Sequence, residues 1–459
     1  MELNRRDFIE LLNDIESTIP VYDWKFGEID IWPLVKRDLF FYYYKKSDTK
    51  QDPQSAGRKS FGFNVFALIR SLFRIFRLKC QSQNLSITKM YCGYSAHRVN
   101  WEGRFINRYF HPIINNGNDD VLELEYGIRD QTKIYPDQHR LLFFEDYRLG
   151  FLLLNKFRKK KILYQPGWSD FKKKLAISTN IDTEKFNLYV SKRIRELAAM
   201  TGFFSLLISK YNFKEIFGLC YYNNAMFALH FASNKVNIVN YDVQHGGQGS
   251  LHPMYTYCNY PPNGLNVLPR IFWCWDAGSR HNIEKWLDAE NGQSAILGGN
   301  PWVQFQLSQK VEFQFPKKRI ILYTLQQDEL DDFILETIVN TPIEFQWWIR
   351  LHPRMPSSRS RVTEQLQNIG KIEEVEIDAA SRLPLPLILK NTSVHISKFS
   401  GSIIEGILLE VPTIIIDETG TEIYSHYLDL DFLHVHIEKE EDTLLRLITT
   451  IFREGRVEA

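Results

Sequence analysis

The feature that most narrows the fold is an alternation of short apolar runs with helical stretches. EIFGLCYY has the composition of a strand, NNAMFALHFASNK that of a helix, and VNIVNYDV that of a second strand. Strand, helix and strand within about thirty residues form a βαβ unit, because parallel neighbours need a long crossover between them. Earlier in the chain SITKMYCGYS reads as a strand with its exit loop, and residues 186–211 as a helix with a charged face. The alternation then resumes. RIILYTLQ, EFQWWIRLHP, SVHISKFS and VPTIIID read as strands, and DELDDFILETIVNT, VTEQLQNIG and SIIEGILLE as the helices between them. The expected class is α/β, with parallel sheets covered on both faces.

A chain of 459 residues exceeds what one hydrophobic core usually serves, so two domains are expected. QFQLSQKVEFQFPKK is polar and aperiodic, which places a linker at 304–318, between an N-terminal domain of residues 1–303 and a C-terminal domain of residues 319–459. The last helix, EDTLLRLITTIFREG, could pack back across that linker. Two Rossmann-like domains facing each other leave a cleft at the carboxyl ends of both sheets, where ligands of open α/β folds bind.

Composition removes several function classes. The 56 basic and 55 acidic residues balance to a formal charge of +1, which gives no electrostatic footprint for nucleic acid. Cys80, Cys92, Cys220, Cys258 and Cys274 are widely spaced with no CxxC pair, which fits reduced thiols rather than a disulfide framework or a zinc site. The opening MELNRRDFIELLNDIE is amphipathic without the apolar region of a signal peptide, and no run of apolar residues is long enough to span a bilayer. A cytoplasmic protein is expected. One segment suggests contact with a membrane surface. Residues 61–79 set Phe63, Phe66, Leu68, Leu72, Phe73, Ile75 and Phe76 beside Arg70, Arg74, Arg77 and Lys79 at helical spacing. Two readings are open: a helix lying on an anionic membrane, or a core-facing helix with a solvated basic edge.

The candidate chemistry falls at strand ends. YDVQHGGQG leaves a strand with Asp242, then Gln244 and His245, then Gly246, Gly247 and Gly249, with His252 close behind. A carboxylate there could act as a general base or a nucleophile, and the glycines let backbone turn sharply or approach a ligand. An aspartate that only caps a turn is the plainer alternative. In the second half, WWIRLHPR brings Arg350, His352 and Arg354 to a strand terminus stopped by Pro353. A histidine between arginines can donate to a phosphate oxygen or protonate a leaving group. SKFSGSIIEG supplies Ser397, Ser400 and Gly401 in a loop after a strand, and Ser402 with Glu405 in the spacing of a capping box. Such a loop offers hydroxyls and free N–H groups to an anion. Two roles are open to Glu405, capping the helix backbone or accepting from a ribose.

Together QHGGQGSLHPMY, RLHPR and SKFSGSIIEGILLEVPTIII resemble bacterial surface-polysaccharide glycosyltransferases of the GT-B fold, nearest to the branch of capsule Kdo transferases and bacterial sialyltransferases. IPVYDWKFGEIDIWPLVKRDL (residues 19–39) is similar to an N-terminal signature of capsule and O-antigen proteins. The likeness covers residues 19–39 and roughly 215–420. It implies that His352 and the serine loop (Ser397, Ser400, Gly401, Ser402) hold the donor phosphate, with Glu405 near the ribose and Arg350 or Arg354 on an acid sugar. It makes Asp242 and His352 the catalytic pair, and Gln244, His245, Gly246, Gly247 and His252 the acceptor-side wall. SKFSGS departs from the adjacent serine pair often found in that branch. A second catalytic carboxylate is not assigned; Glu145 and Asp146 are candidates.

The expected function is therefore transfer of a sugar, with CMP-Kdo or a similar acid-sugar donor favoured, to a growing surface polysaccharide or its lipid-linked acceptor. No metal and no cofactor beyond the nucleotide-sugar substrate are expected, since helix dipoles and cationic side chains can carry the leaving-group charge. Two other readings compete: a sugar-nucleotide epimerase of the same architecture, which needs no acceptor, and a non-catalytic polysaccharide-binding or scaffold module.

Overall fold

The computed structural model describes residues 3–47, 61–115, 120–127, 129–136, 140–156, 165–287, 292–310, 312–352, 355 and 357–454. The chain divides into two compact units, Met1–Pro301 and Trp302–Ala459. Each is built on a parallel sheet, and both are Rossmann-like, as the alternating pattern predicts.

The first sheet has seven strands: β1 (Lys89–Gly93), β2 (Val121–Glu125), β3 (Arg140–Phe143), β4 (Glu215–Leu219), β5 (Val239–Val243), β6 (Ile271–Cys274) and β7 (Ser294–Leu297). Their spatial order is β7-β6-β5-β4-β1-β2-β3, every pair parallel. With the outer β7 set aside, this is the 3-2-1-4-5-6 order of dinucleotide-binding sheets, whose winding reverses between the first and fourth strands. Central strands read as continuous apolar or buried runs because helices cover both faces; all five residues of β2 are buried. The helix Asn224–Lys235 crosses over from β4 to β5. It starts where the Asn223 side chain accepts from the Met226 N–H, and it is buried from Asn224 to Ser233.

Ahead of this sheet lie the helices Arg5–Thr18 and Trp32–Ser47, which frame the signature residues. Lys36 and Glu16 form an enclosed ion pair at 2.7 Å, and Glu16 also accepts from the Trp32 indole and from the Cys258 N–H. Burial pulls the Lys36 pKa down, and the Glu16 charge opposes that pull. Arg37 donates to the carbonyl of Tyr222 at 3.0 Å and to Asn224 Oδ1 at 3.1 Å. The signature thus braces the loop that follows β4.

The second sheet has five strands: β8 (Arg319–Thr324), β9 (Phe345–Arg350), β10 (Thr392–Ser397), β11 (Thr413–Ile415) and β12 (Leu433–Val435). The order is β9-β8-β10-β11-β12, again all parallel. This 2-1-3-4-5 order reverses between β8 and β10, where Thr324 stands opposite Ser397. The closing helix Glu441–Glu454 buries Leu444, Ile448 and Ile451 in the core of this same unit, with Ile321, Ile334 and Val394.

Candidate functional site

Strand order fixes where a ligand crevice opens in each sheet: at the carboxyl ends of β1 and β4 in the first unit, and of β8 and β10 in the second.

In the first unit β4 ends at Leu219, and Cys220 takes a left-handed conformation with φ of 61°. That turn aims the Tyr221 N–H at Asp242 Oδ1, 3.0 Å away, while Tyr255 donates its hydroxyl to Oδ2 at 3.3 Å. Asp242, at the end of β5, is 0% exposed. Burial pushes its pKa up to about 8 against the opposing pull of those two hydrogen bonds, so the carboxyl keeps its proton at neutral pH. Gln244, also enclosed, accepts from the Trp275 N–H at 2.6 Å and donates to the Gly246 carbonyl and to Ser279, which pins the loop.

His245 is the open member of this wall. It is half-buried, its Nε2 lies 3.4 Å from the Tyr222 hydroxyl, and its buried Nδ1 has no hydrogen-bond partner. Tyr109 holds its carbonyl at 3.1 Å, and the His97 ring stands 5.5 Å away. Burial, and then the Arg108 charge, lower its pKa to about 4. His252 packs on Tyr222 with ring centroids 4.9 Å apart and accepts the Met254 N–H at Nδ1; burial first, then nearby cationic and histidine groups, take it to about 3. A Cβ on Gly246 would meet nothing, and its φ is not positive, so neither space nor backbone conformation demands glycine there.

Across the crevice, Tyr94 follows β1 and stacks on Tyr126, whose hydroxyl donates to the Leu219 carbonyl. Arg98, on a short antiparallel ribbon, bonds Glu123 at 2.7 Å and Glu125 at 2.9 Å at the end of β2. Burial pushes Glu125 up to about 7 even so. Glu145 and Asp146 are not drawn in; they open the helix Glu145–Lys156 and pair with Arg148 and Arg74.

In the second unit the switch point holds a closed cluster of hydroxyls. Thr324 Oγ1 donates to Ser397 Oγ at 2.8 Å and lies 2.9 Å from Ser402 Oγ and 3.0 Å from His395 Nε2. Thr413 gives its own proton to the Val411 carbonyl, so its contact with a neutral His395 ring takes the hydrogen on Nδ1; the single Thr324 proton goes to Ser397, which leaves Ser402 Oγ, 3.4 Å away, as the hydroxyl that can donate to Nε2. Burial lowers the His395 pKa to about 3, in keeping with that neutral ring. Lys398, the next residue, bridges the crevice to Gln327 at 2.7 Å and to Asp331 at 2.8 Å.

The capping box expected of Ser402 and Glu405 does not form. The helix begins at Ser402 with Gly401 as its cap, so Glu405 is the fourth helical residue rather than the third. Ser402 turns its hydroxyl into the Thr324 cluster, and its N–H goes to Ser400 Oγ at 3.2 Å. Gly401 is exposed, with open space where a Cβ would be. Arg350 Nη1 donates to the carbonyls of Ala380 and Leu383 at 2.7 and 2.8 Å, tying down the neighbouring segment. His352 is half-buried just past β9, and its carbonyl accepts from the Met355 N–H. Arg354 and Pro353 lie outside the described residues.

Sequence reasoning missed Tyr94, Tyr109, Tyr222, Thr324 and Lys398. The loops that follow the first and fourth strands of a Rossmann order would have flagged Tyr94 and Tyr222.

No protein-family profile and no curated protein matches the sequence. Among solved structures, a Listeria monocytogenes protein assigned as a UDP-N-acetylglucosamine 2-epimerase aligns at 12% identity and a TM-score of 0.49, over 80% of this chain and 88% of its own. The UDP-GlcNAc 2-epimerase of Methanocaldococcus jannaschii aligns at 12% and 0.47, over 79% and 92%. That of Neisseria meningitidis, bound to UDP-GlcNAc, aligns at 11% and 0.47, over 81% and 93%. The aligned structures are epimerases of a UDP sugar, not transferases of the Kdo or sialic acid branch, which overturns the expectation of sugar transfer from a CMP-activated acid sugar.

Proposed function

We propose that the protein is an enzyme acting on a nucleotide sugar, and within that class a sugar-nucleotide epimerase that needs no acceptor. The observation that carries the reading is the placement of polar side chains at the strand-order reversal of both Rossmann-like sheets, with His245 Nδ1 left without a partner in the first. The aligned epimerase structures include complexes with UDP-GlcNAc and UDP, which agrees with it.

Inversion of a carbon centre by proton transfer breaks a C–H bond on one face, with the proton passing to a base, and forms a new C–H bond on the other with a proton from an acid or solvent. His245 is neutral at pH 7 and so can accept; an anionic phosphate beside it would offset the Arg108 charge and raise its basicity. Asp242 is enclosed, and in this reading it acts as a positioning residue through Tyr221 and Tyr255, holding the loop that carries Tyr222. In the second unit Ser400, Gly401 and His352, the half-buried or exposed members of the expected donor set, are the groups proposed to meet phosphate.

The test is incubation of the purified chain with UDP-GlcNAc in deuterated water without any acceptor. Deuterium entering the sugar together with a second stereoisomer, seen by proton NMR, is the expected result. No exchange with any UDP, GDP or CMP sugar, together with no change in melting temperature on adding them, would reject catalysis and binding alike.

A further inference from the structure

We propose that the outward face of the helix Phe61–Cys80 docks this protein on an anionic lipid surface. The inference is independent of the reaction proposed above.

The helix has two apolar faces. One is occupied: Ser71, Ile75 and Leu78 are buried against the helix Glu145–Lys156. The approach there is close, since a Cβ at Gly150 would come within 2.5 Å of Ile75, and the Gly150 N–H donates to Ser71 Oγ at 3.0 Å. This contact fixes which side of the helix looks outward. The outward side carries Val65, Phe66, Ile69, Phe73 and Phe76, with Phe66 and Phe73 62% and 64% exposed. At 100° per residue these side chains fill one continuous sector. Single exposed apolar side chains need no explanation, but five along one helical stripe do.

Charge names the occupant. Arg70, Arg74 and Arg77 occupy the sector adjoining that stripe, Lys79 ends the helix, and residues 61–80 contain no carboxylate. Arg70 sits 5.0 Å over the Phe66 ring, which holds its guanidinium level with the stripe, and Arg74 pairs with Asp146 of the supporting helix. A purely apolar stripe would suit another protein surface. One bordered by arginines suits the boundary of an anionic bilayer, where rings enter the acyl region while guanidiniums stay among phosphates. No helix among the described residues is long and apolar enough to cross a membrane, so the contact is one of lying on the surface.

The test is flotation of the full chain with phosphatidylcholine vesicles, with and without an equal part of phosphatidylglycerol. Binding to the anionic vesicles alone, weakened by added salt, is expected. The double variant Phe66→Asp/Phe73→Asp should lose about tenfold or more in partitioning at an unchanged melting midpoint, because neither side chain serves the core. Phe76→Ser, a milder change at a site 64% exposed, should lose part of it and guards against a folding defect in the double variant. Absence of flotation with anionic vesicles, or undiminished flotation of both variants, would overturn the proposal. So would a dimer in solution that these same substitutions dissociate, since the face would then belong to a second copy.

Discussion

The crevice of the first sheet is lined by rings, those of Tyr94, Tyr109, Tyr222, His245 and His252, and it leaves His245 Nδ1 with nothing to bond. The crevice of the second is lined by hydroxyls, those of Thr324, Ser397 and Ser402, which satisfy one another and His395. A buried polar group without a partner costs stability, and it is also the group readiest to take up a ligand or a proton. A closed hydroxyl cluster does the opposite: it fixes geometry and has little left to offer. The first crevice therefore has the character of a reacting site, and the second that of a rigid frame whose working surface is the outer loop at Ser400 and Gly401.

Substitution at the open group should give the largest effect. His245→Gln is expected to lower turnover by about a hundredfold or more while moving folding stability by less than about 1 kcal/mol. Comparable losses of both would erase the distinction between the two crevices. Next in size is Thr324→Val, which keeps the shape but orphans the groups around it. It should cost about 2 kcal/mol in denaturant unfolding, because buried partners are left unsatisfied. A cost near zero would mean that the hydroxyl cluster does not frame the sheet.

The third expected effect is a change of slope with pH rather than of level at one pH. Asp242 has its pKa raised to about 8 in the folded chain, above the ordinary carboxylate value of 3.8. Between those limits the folded state keeps a proton that the unfolded state has lost. The stability it contributes is complete at acid pH, falls as pH rises through that window, and is gone above about pH 8. The buried histidines act from the other side. His230 and His245, lowered to about 4, and His252 and His395, lowered to about 3, withdraw stability as pH falls below their unfolded value near 6.5. Melting temperature against pH should pass through a maximum, and Asp242→Asn should flatten its alkaline limb and steepen its acid limb above about pH 4. An unchanged alkaline limb would mean that this carboxyl is ionised in the fold.

Much of the fold can be read along the chain. RIILYT is apolar over most of a strand's length, VNYDV alternates apolar with polar residues, and Asn223 and Asp182 cap helices where such residues are expected. The register of the helix at Ser402 cannot be read this way. Its start depends on where the serine hydroxyl finds a better partner, and Thr324 supplies one from 78 residues away. Tyr109 escapes for a related reason, since nothing near it in sequence hints that the fold brings it beside His245. Spacing within a motif is local information, whereas the lining of a crevice is set by topology. Asp242 shows the same limit from the other direction: its position at a strand end is legible, but its enclosure by Tyr221 and Tyr255 is not.

The bracing of the crevice by the first forty residues has a consequence for how the chain is made. Glu16 and Lys36 leave the ribosome early, yet the Cys258 N–H and the Thr256 carbonyl that complete their enclosure come more than two hundred residues later. At ordinary synthesis rates that gap is on the order of ten to forty seconds. Until then neither charge has its full set of folded-state partners. Arg37 likewise waits for Tyr222 before it can hold the loop.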